Sequence, residues 1–582
     1  MGNNKEQQGT GTNSGPCRGS SSLAENSQTA LERYKARRAG IPLDEVKKSR
    51  PKHKAGKTGS THQWLLLLLL LPTLGFFGWR AYSVVPGDPL QLTYEVDLTN
   101  APTGLLTVTL IAEGKLPPQL SLEFPQGVFG KSGGGLNLVR PSAHSLKDNG
   151  EMGRSLTVDQ TPAGWRLGTR GLHRVGFIYR VDLAKTHTLE TDIRKYISTP
   201  VSGGVRFAGF EVFLEPTNAS VDDITVTVHN PHELQVLVPW PALVKNQNRA
   251  DTRGPLADAH LGYGQGYNPG AGSRSRMPGQ ASGGSAGDHG ATAPVPTNLL
   301  YHPHNLADLN NALLVCGDIR TLSSQARDCV IQFATDRDWL FSNEDALELV
   351  RRIARTEMGF FGSAPTEQIT VMLSANEVRA AEGFDIYGVH TGSSILVMLP
   401  AETTWGQLEE QAASVIAHEM FHGWLGEAIT QVDPETMWFT EGATTWYSAR
   451  MLNAAGIWSP HHARRVLTER LNRDFVGSPR RGKTSIAAAA ADVMGDAEMV
   501  RFSYAGGIAA CMALDQWLAG QSGLVRPLDE VLRHLYNNSG DEGFSRLALE
   551  NAVFAVTGVD CHLWLESYVY GVKNLPPVDR LI

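Results

Sequence analysis

His418-Glu419-Met420-Phe421-His422, followed after eighteen intervening residues by Glu441 in Trp438-Phe439-Thr440-Glu441-Gly442, has the residue types and the spacing to hold one metal ion and carry out hydrolysis beside it. Four residues of α-helix advance about 6 Å and just over one turn, so His418 and His422 present both imidazoles on one face, each able to reach a zinc ion at roughly 2.0–2.1 Å. Glu419 lies beside them on the same helix, where a carboxylate can take a proton from the water that a metal activates. Glu441 supplies a third ligand. Two histidines and one carboxylate leave a fourth position open, the coordination of a catalytic rather than a structural site.

Those side chains need two helices to position them. Residues 411–417 form helix readily and contain no breaker, so they extend the histidine helix backward. Gly423, Gly426 and Pro434 then give the chain room to end that helix, turn and start another. The second helix is expected from Glu441 through about Leu452, with Glu441 in its first turn. Trp424, Trp438, Phe439, Trp446 and Tyr447 read as core packing that seats the two helices. A bare His-Glu-x-x-His pentapeptide recurs by chance, and it is the spacing to Glu441 that favours zinc. Tyr301-His302-Pro303-His304 reads as a surface turn rather than a second metal site.

The two segments resemble the glycyl-aminopeptidase family of gluzincin zinc metallopeptidases, related to the aminopeptidase N family. Tyr504-Ala505-Gly506-Gly507, with Leu514-Asp515 downstream, resembles the Tyr-x-Lys-Gly helix start that places a transition-state tyrosine in these families, with Gly506 where the family has Lys. Phe207-Ala208-Gly209-Phe210-Glu211-Val212-Phe213-Leu214 resembles a strand of the amino-terminal β-domain, and residues 528–575 resemble the helical tail. The resemblance covers about residues 90–245 and 298–580. It implies one zinc per chain, held by His418, His422 and Glu441, with Glu419 as base. It also implies that Tyr504 donates a hydrogen bond where negative charge develops; a buried core tyrosine is the competing reading. The substrate it implies is a peptide or protein.

One departure bears on specificity. Related aminopeptidases carry a Gly-rich segment ending in a Glu that binds the substrate's free α-amine. The corresponding stretch here, Tyr387-Gly388-Val389-His390-Thr391-Gly392-Ser393, has no carboxylate. Gly388, Val389 and His390 are candidate substrate-binding residues, and the strand-like residues 394–399 could hold an extended peptide by the backbone. Glu382 or Asp385 could replace the missing carboxylate, so exopeptidase and endopeptidase readings both stay open.

With 582 residues, 41% hydrophobic and 19% charged, the chain is long enough for more than one core. The fold class expected is multidomain: an N-terminal membrane anchor, a β-sandwich, then an α+β gluzincin (thermolysin-like) catalytic domain with a helical C-terminal part. Residues 1–62 read as a disordered basic cytoplasmic tail and 63–85 as a single-pass signal-anchor, with Trp64 and Trp79 at the interfaces. Cleavage near Ala81-Tyr82-Ser83 is the alternative. Residues 88–245 alternate in the β manner, 246–297 form a Gly/Ser/Pro-rich linker, 298–455 the zinc-binding domain and 456–582 the helical domain. The basic residues before the apolar run place the catalytic domain outside the cytoplasm, in the periplasm or the extracellular space. A net charge of −7 gives no reason to expect nucleic acid as a partner. Five cysteines are few, and Cys316 with Cys329 could pair in an oxidising compartment. A non-catalytic binding protein that keeps the fold is the alternative to an enzyme, and a membrane scaffold whose basic tail recruits anionic lipid or a cytoplasmic partner could coexist with either.

Overall fold

The structure is a computed structural model that describes residues 88–125, 138–162, 164–188, 197–241, 298–376, 386–492, 497–538 and 543–577. The expected anchor at 63–85, the basic residues 1–62 and the stretch 246–297 lie outside them. Among the described residues, no helix is long and apolar enough to cross a membrane.

Period-two alternation builds the first half. Leu90, Leu92, Tyr94 and Val96 are buried while their neighbours are more exposed, so Leu90–Asp97 turns one face to a core, as do Leu105–Glu113 and Val221–His229. The seven-stranded sheet runs Asn298–Tyr301, Val221–His229, Leu90–Asp97, Leu105–Glu113, Arg174–Asp182, Leu138–Leu146, Met152–Leu156. Its one parallel pair is Leu90–Asp97 with Val221–His229. A four-stranded sheet of Glu215–Pro216, Gln119–Glu123, Gly164–Gly168 and Val158–Gln160 shares its core, where Trp165 meets Phe177 at 6.4 Å between ring centres. The first half is thus β-rich, two sheets packed about one core.

Its extent differs from the sequence expectation. Asn298–Tyr301 pairs with Val221–His229 and Leu313–Gly317 with Gly204–Ala208, so residues 298–317 join the sheets of the first half rather than opening the catalytic domain. The strand expected over 207–214 ends at Ala208, and the chain makes the short helix Gly209–Val212. A Cβ at Gly209 would lie 2.0 Å from the Leu309 carbonyl oxygen, so this turn approaches its neighbour's backbone more closely than any other residue allows. Tyr94 and Tyr179 donate buried hydrogen bonds to the Leu214 and Val212 carbonyls, 2.7 and 2.8 Å long, and pin the turn to the sheet.

A second four-stranded sheet, Gln235–Leu237, Leu313–Gly317, Gly204–Ala208 and Thr199–Val201, is buried on both faces along its two central strands. Val205, Phe207, Leu314 and Cys316 join the sandwich core, whereas Leu313 and Val315 pack against Met372, Leu396 and Met398 of the catalytic sheet. Alternation along one strand thus cements two cores.

The catalytic sheet has five strands in the order Arg320–Ala326, Cys329–Thr335, Gln368–Ala375, Ser394–Leu399, Tyr387–Thr391. Cys329–Thr335 and Gln368–Ala375 are parallel, and the helix Asn343–Phe361 makes the crossover that parallel strands require. Ser342 caps that helix by accepting from the Asp345 N–H, and Gly362 ends it at φ +99°. The strand expected at 394–399 forms. Cys316 and Cys329 are buried and free, so the pairing considered from sequence is not made. The helical end comprises Pro460–Arg470, Ile486–Ala491, Ala497–Ser522, Pro527–Asn538, Arg546–Thr557 and His562–Tyr568.

Candidate active site

The histidine helix starts at a capping box, in which the Thr404 side chain accepts from the Gln407 N–H. It widens into one π turn over Leu408–Ala412 and continues as Ala413–Phe421. Leu408, Ala412, Ile416, Met420 and Phe421 bury its core side and leave His418, Glu419 and His422 on the side facing the cleft. Just past His422 the backbone kinks: Leu425 leaves helical geometry and Gly426 takes φ +150°, where only glycine is unstrained. The kink brings the Leu425 carbonyl to 2.9 Å from His422 Nδ1. A carbonyl can only accept, so Nδ1 carries a proton and Nε2 is the nitrogen left to face a metal.

The second helix, Met437–Ala454, begins four residues earlier than expected, and Glu441 stands in its second turn rather than its first. Asp433 starts this earlier beginning by capping Pro434–Thr436. Trp424, Trp438, Phe439, Trp446 and Tyr447 are buried, as core packing requires, with Trp424 stacked on Phe361 at 5.0 Å. Thr445, one turn after Glu441, donates to the Glu441 carbonyl at 2.8 Å and lies 3.3 Å from His418 Nδ1. Its hydrogen being used, its oxygen accepts from Nδ1 and leaves His418 Nε2 free as well.

The two free nitrogens and one carboxylate oxygen converge. His418 Nε2 is 3.1 Å from His422 Nε2, and Glu441 Oε2 is 3.2 and 3.6 Å from them. A zinc ion about 2.0–2.1 Å from tetrahedral donors sets those donors about 3.3 Å apart, so the triangle fits such an ion. Glu441 Oε2 is buried with no hydrogen-bond partner, which also suits a metal. This is the one group of three or more ligating side chains among the described residues.

Tyr504 stacks on His418, rings 6.2 Å apart and 21° from parallel. It lies well inside the helix Ala497–Ser522 rather than at a helix start. Two glycines set its approach. A Cβ at Gly442 would sit 2.3 Å from the Gly507 carbonyl carbon, and one at Gly507 would sit 2.2 Å from the Trp438 carbonyl oxygen, so the helices carrying Glu441 and Tyr504 touch backbone to backbone. Gly506 faces Ile486 and Phe475 at 3.0 and 3.3 Å. A lysine there would start into an apolar wall, so Gly506 removes no charge from the cleft.

Ser394–Leu399, expected to hold a peptide by its backbone, is paired on both sides, with Gln368–Ala375 and with Tyr387–Thr391, so the edge strand beside the histidine helix is Tyr387–Thr391 instead. A Cβ at Gly388 would lie 2.5 Å from Glu419 Oε1, so only glycine lets the strand lie against that carboxylate. His390 faces the same way, with its ring 6.3 Å from that of His422. Val389 does not; it packs with Met372 and Leu396 on the opposite face and offers no side chain to a substrate. The Thr391 hydroxyl donates to the Asn311 carbonyl at 2.7 Å. Glu382 and Asp385 lie outside the described residues. A carboxylate not singled out from the sequence, Glu427, follows the kink and accepts from the Gly392 N–H at 3.2 Å.

The field is divided among these groups. Burial raises the Glu419 carboxyl above the usual carboxylate range, and the His418 and His422 imidazoles only partly offset it. Burial would also raise Glu441, but His422 and His418 hold it well below that range. Burial would lower His422, and Glu441 more than reverses this, to about 9. Burial and then Glu441 push the Tyr504 hydroxyl well up, so it remains a donor.

Residues 359–556 match the peptidase family M1 domain. No curated protein matches the chain in sequence. The structure is similar to the aminopeptidase N family protein of Idiomarina loihiensis, with 16% identity, 84% of this chain and 77% of that one covered, and a TM-score of 0.61. It is also similar to an M1 zinc metallopeptidase of Deinococcus radiodurans bound to a Tyr-Ser-Ala substrate, with 14% identity, 85% and 96% covered, and a TM-score of 0.49. Residues 359–556 are a peptidase family M1 domain, and the chain is a zinc metallopeptidase.

Proposed function

We propose that this enzyme is a membrane-anchored peptidase whose active site comprises His418, His422 and Glu441 as zinc ligands, Glu419 as general base and Tyr504 as oxyanion donor. The observation that carries it is the convergence of His418 Nε2, His422 Nε2 and Glu441 Oε2 beside Glu419 and Tyr504. Zinc held there supplies a Lewis acid and a water of lowered pKa. Glu419, whose basicity burial has raised, takes the proton of the attacking water and passes it to the leaving amine. Tyr504, kept protonated, donates to the oxygen on which charge develops. The edge strand Tyr387–Thr391 holds the peptide by its backbone, with Gly388 next to the base.

The Gly388–Ser393 stretch has no carboxylate for a substrate α-amine. An ammonium drawn from water without a partner loses several kcal/mol. Amino-blocked peptides are therefore cut at least as well as free ones. Turnover that requires the free amine, with the requirement removed by Glu427→Gln, would instead make Glu427 the amine anchor and the enzyme an aminopeptidase. The catalytic test is Glu419→Gln, expected to keep one zinc per chain and lose about 10²–10⁴-fold of turnover. Unchanged turnover defeats the mechanism.

The anchor rests on the apolar run between Trp64 and Trp79 and the Lys/Arg-rich residues before it. A reporter fused after Ile582 should be active only outside the cytoplasm. Cytoplasmic activity would reverse the orientation, and release of a soluble fragment starting near Val84 would show cleavage.

A further inference from the structure

We propose that Arg470 anchors the C-terminal carboxylate of a short peptide substrate; the inference rests on the peptidase reading above. Arg470 ends the helix Pro460–Arg470, and its Cζ lies 5.7 Å from the centre of the Tyr504 ring, the same ring that stacks on His418. The residue is partly buried. Among the described residues its side chain makes neither a hydrogen bond nor an ion pair; its one contact of this kind is the Tyr504 ring.

The acids nearby are engaged elsewhere. Asp474, one turn on, is gripped by Arg473 through two hydrogen bonds of 2.8 and 2.7 Å. Glu441 faces the two imidazoles. Burial pushes the Arg470 pKa down, with Tyr504 and Asp474 only partly offsetting it. A guanidinium taken partly out of water with its fork of donors unused is unfavourable by itself. An acceptor that restores the balance brings two oxygens in one plane, and a carboxylate matches the fork where a single peptide carbonyl does not.

Position then selects which carboxylate. Arg470 is separated from the reacting centre by a single tyrosine ring, and each extended peptide residue spans about 3.3–3.6 Å. The anion must therefore sit within a few residues of the scissile bond. The free C-terminus of a short peptide meets that condition whatever its side chains; an acidic side chain next to the scissile bond is the other source.

The test uses the full-length zinc-loaded enzyme and short amino-blocked peptides in matched pairs: free acid against C-terminal amide, and Asp against Asn beside the scissile bond. Wild type should prefer the free acid by about tenfold or more in kcat/KM, the size of one charge-assisted fork. Arg470→Gln should abolish that preference by raising KM for the free acid about tenfold more than for the amide, with zinc content retained, and Arg470→Lys should restore part of it. Absence of an acid–amide preference in wild type overturns the proposal. An equal fall in kcat on both substrates also overturns it and makes Arg470 a residue acting through Tyr504. A preference for Asp over Asn that disappears in Arg470→Gln, with the acid–amide ratio unmoved, overturns the C-terminal assignment in favour of a side chain. If wild type cuts none of the peptides, the peptidase reading falls with it, whereas cutting without preference leaves that reading intact.

Discussion

At the residue scale, the metal site is decided by what each imidazole does with its other nitrogen. The Leu425 carbonyl and the Thr445 hydroxyl each accept from one Nδ1 and aim the Nε2 of that ring toward Glu441. Thr445→Val removes the acceptor at His418 and should weaken zinc binding about 10–100-fold while the loaded enzyme turns over nearly as before. Competition against a chelator measures the first and zinc-saturated kinetics the second; unchanged affinity would show that Thr445 does not orient His418. The same chelator assay reads the proton. In the metal-free protein His422 is raised from 6.5 to about 9, so its proton stabilises that state fully below 6.5 and the contribution is lost as pH rises through 9. Zinc needs the neutral ring and must displace this proton at any pH below 9. Apparent zinc affinity should therefore fall by up to about tenfold per pH unit between 9 and 6.5, a slope that Glu441→Gln would not reproduce because it removes the group that raises His422. A flat profile in that window would count against the coupling.

At the scale of elements, the glycines between Glu441 and Tyr504 matter more than any side chain there. Gly507→Ala puts a Cβ 2.2 Å from the Trp438 carbonyl oxygen, which no rotamer relieves. It should destabilise by at least about 1–3 kcal/mol and separate Tyr504 from the metal site. Gly520→Ala, on the same helix with nothing within 4 Å, should stabilise by about 0.5–1 kcal/mol. Thermal unfolding of the two variants, with turnover at saturation, decides whether the tight crossing or helix propensity governs this position; equal shifts would reject the crossing. This contrast marks what the sequence makes legible. Four-residue spacing on one helix is local, so His418, Glu419 and His422 could be read directly, and the distance to Glu441 followed from the turn that Gly423, Gly426 and Pro434 permit. The side of the edge strand that Val389 faces, and the approach of Arg470 to Tyr504, arise from tertiary packing that no local pattern encodes. Pro434 by itself marks only a break between helices, so the start at Met437 is hidden from the sequence; Asp433 caps a turn running into the next helix. Strand Asn298–Tyr301 belongs to the first half rather than to the domain expected from residue 298 for the same kind of reason: its partner, Val221–His229, lies beyond a long Gly- and Pro-rich stretch.

At the scale of the whole molecule, the question is what makes the sandwich and the catalytic half one body. Apolar packing across the two-faced sheet does part of this, the Thr391 hydroxyl on the Asn311 carbonyl adds a polar link, and Arg206 adds a buried charged one. It is 2% exposed, donates to the Ile197 carbonyl at 3.0 Å and to Ser374 Oγ at 2.6 Å, and lies 3.8 Å from Asp336 Oδ2. Ser374 itself donates to Asp336, so the arginine of one half closes a chain of polar groups on the catalytic sheet. Burial pushes Arg206 down to about 10, which still leaves it charged at neutral pH. Arg206→Met keeps most of the stem's volume and strands the Asp336 carboxylate in a nearly closed interface, which should cost about 3–5 kcal/mol. Adding Asp336→Asn removes the stranded charge and should recover a good part of that loss, because an uncharged pair needs no counter-ion. The two halves should then melt as separate transitions in Arg206→Met and move back toward one in the double variant, as read by calorimetry, with zinc content unchanged in the folded fraction. A single transition at the wild-type temperature in Arg206→Met would show that apolar contacts around Met372 and Leu396 alone join the halves. A loss of zinc without a stability change would place the arginine's role at the catalytic sheet rather than at the junction.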